Sequence, residues 1–352
     1  MTMIAQRPIL TVAILLSMTT LAMANDGITR KSDEKKKLSG TITSMTKTEL
    51  ILKTSKGDET VPANDIALIE WDGGGPELKL GYTDENNGKF DSAAQRFNKA
   101  KETVKSPSDF LKGEIEYGLA RIAGKQALEG SEKRDQAVKG LMSVIKAYPE
   151  HVRYFETVML LIQVQLAGKD YAGARTTIEL LKKAPWSDYA LASRIASGRV
   201  LMDEGKTTEA IAEFDAAAVA ATDSPSDQLR KYEAMVGQAR GLISQTKYDE
   251  AVKVLDVVSQ KVAKDGESVQ AEAYMLQGQA LLSLGRLKEA ILAYLHVDLI
   301  YPREADYHAE SLYQLSQLCK QDQHAERGDE AAAKLIQLYP NSEWRKKLAG
   351  KE

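Results

Sequence analysis

An alanine recurs along this chain at intervals of 36 to 44 residues, from position 93 to position 290. Each copy stands in a stretch whose apolar residues have helical spacing, and a larger apolar residue follows it four positions later. The copies are Ala93, Ala137, Ala174, Ala210, Ala251 and Ala290. Because alanine favours helix and lets a second backbone come close, the recurrence predicts a series of tightly packed helical pairs.

The clearest unit runs from Val269 to Pro302. Apolar residues recur at three-and-four spacing on both sides of a break at residues 284–286, which predicts two amphipathic helices joined by a turn. The proline ends the second helix, since it cannot continue the hydrogen-bond ladder. The unit is therefore a helical hairpin, with Gly278 and Ala290 as small residues at the crossing and Tyr294 filling the space beside them.

This unit resembles the tetratricopeptide repeat (TPR), in which small residues let two helices approach and a larger residue fills the gap. Six or seven copies follow one another, with intervals longer than the 34 residues of the regular family. Tyr274 stands where the family has an early tryptophan. The resemblance implies a mainly α fold, a TPR-like α-solenoid of about six to seven helical hairpins.

The segment ahead of the repeats has a different pattern. After a charged stretch at residues 30–37, threonine, isoleucine and valine alternate with polar residues, and a turn signal stands at residues 55–58, which together predict four or five short strands. Residues 73–76 (Gly-Gly-Gly-Pro) end the segment. It resembles the small SH3-like or Sm-like barrels found ahead of such repeats in some bacterial envelope proteins. We expect a small all-β, barrel-like module at residues 25–75 and a TPR-like helical repeat domain at residues 76–352.

The first 24 residues have the pattern of a secretory signal peptide. Arg7 is their only charge, residues 9–18 are almost wholly apolar, and residues 22–24 (Ala-Met-Ala) form a small-x-small cleavage site. An uncleaved membrane anchor is the alternative, but the apolar run is short for the roughly 20 residues that a bilayer demands. We expect cleavage before Asn25 and a periplasmic or secreted protein without stable membrane insertion.

The composition argues against several classes of function. The chain has 47 basic and 50 acidic residues, interspersed, and its net charge of −3 offers no basic field for nucleic acid. Cys319 is the single cysteine, so no internal disulfide can form, and we expect it to be a buried small side chain. The four histidines lack the helical pairing of a metal site, and we expect His151 at a surface or loop position. The sequence thus predicts no metal, no cofactor and no catalytic residues.

Two short motifs hint at ligand sites but lack the residues that such sites need. Residues 205–207 (Gly-Lys-Thr) end like a phosphate-binding loop, yet Val200 stands where the second glycine belongs. Residues 84–88 hint at a calcium loop, yet Lys89 and Gln95 occupy the positions of its glycine and glutamate. We interpret both segments as turns between helices.

The family resemblance also implies where a partner would bind. In TPR proteins the exposed faces of the first helices form a concave wall that grips an extended peptide or a partner helix. The matching positions are Ile195, Arg199, Met202, Asp203, Glu233, Val236, Arg240, Ile243, Glu272, Met275, Gln279 and Leu282. Arg199 and Arg240 are the best candidates for binding a carboxylate, because a guanidinium can donate two parallel hydrogen bonds to the two carboxylate oxygens. For any single residue, the alternatives are a merely solvated charged face or a groove filled by the chain's own loops.

Two functions remain open at this stage. The first is a non-catalytic scaffold or adaptor of the cell envelope that holds a protein or peptide in its groove. The second is an envelope enzyme or carbohydrate-binding protein whose site lies between the β-module and the first repeats. Two facing carboxylates or a metal in a pocket there would favour the second function.

Overall fold

The computed structural model describes residues 25–130, 133–262 and 266–350. These residues form five β-strands followed by fifteen α-helices, and no strand occurs beyond residue 70 in the described ranges. The molecule is a TPR-like α-solenoid preceded by a small all-β module, as the sequence predicts. The signal-peptide prediction concerns residues 1–24, which lie outside the described residues.

The β-module is one antiparallel sheet in the order β4-β3-β2-β1-β5. Its strands are β1 (Asp26–Arg30), β2 (Asp33–Met45), β3 (Glu49–Thr54), β4 (Gly57–Pro62) and β5 (Ile66–Glu70). The sequence predicts that the charged stretch at residues 30–37 precedes the strands. In the structure this stretch belongs to the β1–β2 hairpin instead. An antiparallel strand can carry lysines because one of its faces is open to water.

The core of the β-module is formed by apolar residues on neighbouring strands. Ile28 of β1 pairs with Leu38 of β2 and Ile69 of β5, and all three are buried. Leu50 and Val61 pair in the same way on β3 and β4. Because side chains alternate between the two faces of a strand, these positions define a single buried face.

The helices form seven hairpins and one short final helix. The first helices are α1 (Gly75–Asn86), α3 (Asp109–Glu129), α5 (Tyr154–Ala167), α7 (Ser187–Asp203), α9 (Pro225–Ser244), α11 (Glu267–Ser283) and α13 (Ala305–Gln321). The second helices are α2 (Phe90–Thr103), α4 (Arg134–Ala147), α6 (Tyr171–Leu181), α8 (Thr207–Ala220), α10 (Tyr248–Lys261), α12 (Leu287–Ile300) and α14 (Ala325–Leu338). The final helix is α15 (Glu343–Ala349).

The recurring alanines lie where the helices of each hairpin meet. All six have no exposed surface. In the clearest unit, a Cβ placed on Gly278 would lie 2.6 Å from Cζ of Tyr294, so only glycine leaves room for the ring. The small residue and its larger neighbour therefore set the helix spacing, as the repeat pattern predicts.

The helix boundaries follow from local chemistry. The hydroxyl of Ser224 accepts a hydrogen bond from the backbone N–H of Asp227 at 3.2 Å and so caps the start of α9. Gly205 follows α7 with a φ of +78°, a left-handed conformation that suits glycine. Gly205 and Lys206 lie in an inter-helix turn as predicted, whereas Thr207 is the first residue of α8. Residues 84–88 were expected to form a turn, but Asp84 and Glu85 lie within α1.

The hydrophobic core continues from one hairpin to the next. One cluster of buried side chains runs from Val236 on α9 to Leu348 on α15. A single hairpin cannot cover its apolar face, so stacking in register supplies the burial that stabilises each repeat. Within the described ranges, no helix has both the length and the apolar composition needed to cross a bilayer.

Candidate functional site

A channel follows the inner wall of the solenoid. Two adjoining cavities of about 330 Å³ and 520 Å³ lie between helices α3, α5, α7, α9, α11 and α13. The cavities share four lining residues, Gln163, Leu166, Arg199 and Glu272. Apart from Leu181 on α6 and Phe214 on α8, every lining residue lies on a first helix. The channel therefore follows the concave face that a TPR-like superhelix presents.

A third cavity extends the channel toward the C-terminal hairpin. It measures about 790 Å³ and is lined by the end of α3, by α13 and by the segment that joins α14 to α15. Leu128 and Asp306 line both this cavity and its neighbour. The superhelical turn thus brings α3 of the second hairpin opposite α13 of the seventh, and these two hairpins bound the channel.

Seven of the twelve predicted groove residues line the first two cavities. They are Ile195, Arg199, Met202, Asp203, Glu233, Arg240 and Glu272. Gln279, Ile243 and Leu282 lie on first helices but line neither cavity.

Three predicted residues need a correction, because Ile195, Val236 and Met275 are not exposed but buried in the core. The physical reason is that neighbouring hairpins pack against both flanks of each first helix. Only a narrow strip of each helix is left to face the channel.

The charge at the centre of the channel is largely compensated within the chain. Nη2 of Arg240 donates a hydrogen bond to Oε1 of Glu272 at 2.7 Å. Burial raises the pKa of Glu272, but the attraction of Arg240 and then of Arg199 outweighs burial and holds that pKa below its usual range. Arg240 therefore contributes to a pair inside the wall, and the prediction that it binds an external carboxylate is weakened.

Arg199 differs from its neighbours. Its side chain is exposed, lines both cavities and attracts Glu272 at longer range. By contrast, Arg230 on the next first helix contacts both carboxylate oxygens of Glu233 at 2.9 and 2.8 Å. In the described part of the chain, Arg199 has no ion pair of this kind.

The spacing of the repeats also indicates one lining residue, Gln163, that is not among the twelve predicted groove residues. Arg199 and Arg240 each stand eleven positions before the alanine of their own repeat. Gln163 stands eleven positions before Ala174, and it lines both cavities. Tyr307 lines two of the three cavities and lies on α13, the first helix of the seventh hairpin. The recurring alanines end at Ala290, so this spacing could not predict it.

The β-module is joined to the helices through a buried contact. Val152, between α4 and α5, belongs to the core of the sheet, and Phe110 and Trp186 pack against that core. Arg153 donates a hydrogen bond from Nη1 to the carbonyl of Ile66 at 3.2 Å. The start of β5 is thereby fixed to the start of α5.

A network of buried charges surrounds Arg153. Its guanidinium lies 3.3 Å from Glu156 and 3.5 Å from the fully buried Glu114. Tyr82 donates to Glu114 at 2.6 Å, and Tyr117 donates to Glu156 at 3.1 Å. Burial raises the pKa of Glu156, but Arg153 and then Lys31 of the β1–β2 turn outweigh it, and the pKa is lowered.

His151 lies in a loop, as expected, but it is buried rather than on the surface. Its Nε2 is 3.2 Å from the carbonyl of Phe110 and 3.6 Å from Glu114. Burial lowers the pKa of His151 more than Glu114 raises it, so the neutral imidazole is favoured. The neighbouring Val152 packs into the core of the β-module, a contact that the local sequence does not indicate.

A cavity of about 270 Å³ lies between β5 and α1, lined mainly by Trp71, Leu78 and Tyr82. The two carboxylates of the junction, Glu114 and Glu156, are not among its lining residues. No group of three or more histidine, cysteine, aspartate or glutamate residues is arranged to hold a metal in the described ranges. The junction carboxylates therefore act as structural partners of Arg153.

Comparisons with known proteins agree with this fold. Residues 236–298 match the family described as tetratricopeptide repeat. A tetratricopeptide repeat protein from Parabacteroides merdae is similar in structure, with a TM-score of 0.52 at 16% identity, covering 78% of this chain and 97% of that one. No curated protein matches the sequence.

Two further structures are more distant. The apo form of RapI gives a TM-score of 0.47 at 12% identity, with 76% of each chain covered. A Rap protein complexed with competence and sporulation factor gives a TM-score of 0.47 at 18% identity, covering 78% of this chain and 76% of that one.

Proposed function

We propose that this protein is an exported, non-catalytic scaffold that holds an extended peptide or a helix of a partner protein in its concave channel. The channel supports this proposal by its shape. Three neighbouring cavities lined by the inner helices and the C-terminal segment form a long groove rather than a single closed pocket. An elongated groove fits a chain segment better than a compact metabolite.

The charged lining supports a polar, sequence-selective contact. Glu272 and Glu233 are satisfied by arginines of the protein itself. Arg199 lines both of the first two cavities and has no ion pair among the described residues, so it can pair with a partner. A guanidinium binds a carboxylate through two parallel hydrogen bonds, so an acidic side chain or a C-terminal carboxylate is the group we expect at Arg199. The exposed, unpaired Arg199 is the observation that carries the proposal.

Two substitutions on one helix test this role. Arg199→Glu reverses the charge inside the channel, whereas Arg194→Glu makes the same change on α7 at a residue that pairs with Glu213 on α8. We expect affinity capture from cell-envelope extract to recover the partner with wild type and Arg194→Glu, and to lose it with Arg199→Glu. Equal recovery by all three proteins would refute the groove assignment.

Site-specific crosslinking provides a second test that needs no charge reversal. A photoreactive amino acid at Gln163 faces the channel, and the same amino acid at the exposed Lys288 on α12 does not. We expect a crosslinked partner from position 163 and none of the same mass from position 288. The reverse pattern would place the partner outside the channel.

Export is part of the proposal and rests on residues 1–24. Cleavage after Ala24 would leave β1 intact, since Asp26 accepts hydrogen bonds from the backbone N–H groups of Ile42 and Asp72 at 3.0 and 2.9 Å. We expect the protein in the periplasmic or secreted fraction, with a mass that corresponds to a start at Asn25. A full-length chain in the cytosol or the membrane would contradict export.

A further inference from the structure

The outer face of the solenoid is unusually apolar at its C-terminal end. Among the described residues, α4, α8 and α10 each expose one large apolar side chain, whereas α12 exposes Leu292, Leu299 and Ile300. Leu292 and Leu299 are 56% and 70% exposed and stand seven residues apart, on the same side of the helix. Ile336 is exposed on α14, the next outer helix.

A groove lies beside these side chains. It has a volume of about 330 Å³ and runs between α12 and α14, with α13 beneath it. Leu295, Leu299, Leu315 and Ala331 give it an apolar lining. Contiguous apolar surface of this kind marks interaction sites more often than scattered single residues do. The groove shares no lining residue with the three cavities of the channel.

The rim of the groove carries charges of both signs. Arg327 and Glu330 are exposed and stand one helical turn apart on α14, yet they do not pair with each other or with another described residue. Lys334, on the same rim, is bonded to Asp298 at 3.1 Å. The rim therefore has one unpaired cation next to one unpaired anion. If two copies of the chain were related by a two-fold axis, Arg327 of each copy could pair with Glu330 of the other, so the rim is complementary to itself.

We propose that this outer face, which we call the α12–α14 face, binds a second copy of the chain and forms a symmetric dimer. The apolar side chains of α12 form the centre of the interface, and Arg327 and Glu330 form its polar rim. A partner of a single charge sign would match only one of the two rim residues. Because the groove and the channel share no lining residue, the proposed dimer does not rest on the function proposed above.

Sedimentation velocity of the purified protein over a range of concentrations tests the dimer. We expect reversible dimerisation of the wild type and at least about a tenfold higher Kd for Leu299→Glu, since a charge in the centre of an interface is strongly unfavourable. Val219→Glu on α8 is the matched control, because Val219 is even more exposed, at 87%, and lies outside the face. Circular dichroism verifies that both variants are folded.

The rim residues give the test its specificity. Arg327→Glu and Glu330→Arg should each weaken the dimer, and the double variant should recover most of the affinity because the swapped charges again match across the two-fold axis. A wild type that remains monomeric up to about 100 µM would overturn the proposal and leave the face to a different partner. Equal effects of Leu299→Glu and Val219→Glu would overturn it as well.

Discussion

The junction between the β-module and the helices and the wall of the channel both contain arginines and glutamates, but they use them differently. At the junction, Arg153 is buried and contacts Glu114, Glu156 and the backbone of Ile66. In the channel, Arg199 is exposed and has no such partner among the residues that the structure describes. The same type of side chain, arginine, thus stabilises the fold in one region and is available for binding in the other.

The difference shows that exposure and pairing, rather than residue type, separate structural charges from functional ones. A buried charge must be paired, because removal from water costs several kcal/mol per ion. An exposed charge loses little when it is unpaired and can exchange water for a ligand. The predictions below test this distinction, in order of decreasing effect.

Removing the central charge of the junction should have the largest effect. We expect Arg153→Ala to lower the free energy of unfolding by about 3 to 5 kcal/mol, since it leaves buried carboxylates without a partner. Urea unfolding followed by circular dichroism measures the change. Arg194→Ala, at an exposed pair on α7, is the control, and an equal loss in both variants would mean that the junction charges do not hold the fold together.

Acidification should separate carboxylates by their surroundings. The pKa values of Glu156 and Glu272 are lowered from 4.5, so the stability that these groups contribute is present above pH 4.5 and is lost as pH falls through their folded-state values. Burial raises the pKa of Glu310 on α13 above 4.5, so its protonation stabilises the fold as pH falls toward 4.5. We expect a stability maximum under mildly acidic conditions, and a monotonic pH profile would contradict this.

Neutralising Glu310 should reproduce part of that maximum at neutral pH. We expect Glu310→Gln to raise the free energy of unfolding by about 0.5 kcal/mol at pH 7, because a carboxylate in the channel loses its hydration there. The gain should vanish near pH 4, where the wild-type side chain is protonated. The exposed Glu250 provides the control substitution, Glu250→Gln, which should change little at either pH.

The smallest effect is expected at the solvated edge of the junction. Lys47 on the β-module and Glu150 on the helical side form an exposed ion pair at 3.2 Å. Lys47→Ala should cost less than about 0.5 kcal/mol, because water and salt screen such pairs. A loss comparable to that of Arg153→Ala would show that position at the junction, and not burial, governs the energetics.

Much of the helical part could be predicted from local sequence. The alanine recurrence located the hairpins, and every one of those alanines is fully buried in the structure. Turns with a glycine, such as Gly205 and Gly285, were also recognisable, because the left-handed backbone there favours this residue. These features depend on contacts within one hairpin, which the sequence spacing encodes directly.

The site could be predicted only in part. Arg199 and Glu272 line the channel, whereas Ile195, Val236 and Met275 are buried. Helical periodicity identifies which residues share a face of a helix. It does not give the width of the strip that neighbouring hairpins leave uncovered, since that depends on how closely they pack.

The sequence by itself determined the two-helix unit, its repetition and the change from strands to helices near residue 75, because propensity, periodicity and small crossing residues act over a few turns of chain. Only the tertiary structure decided that α3 lies opposite α13, that Arg153 is buried beneath the β-module and that Arg199 remains unpaired. Small rotations between hairpins accumulate along a solenoid, so distant residues meet or separate according to the sum of many packing contacts.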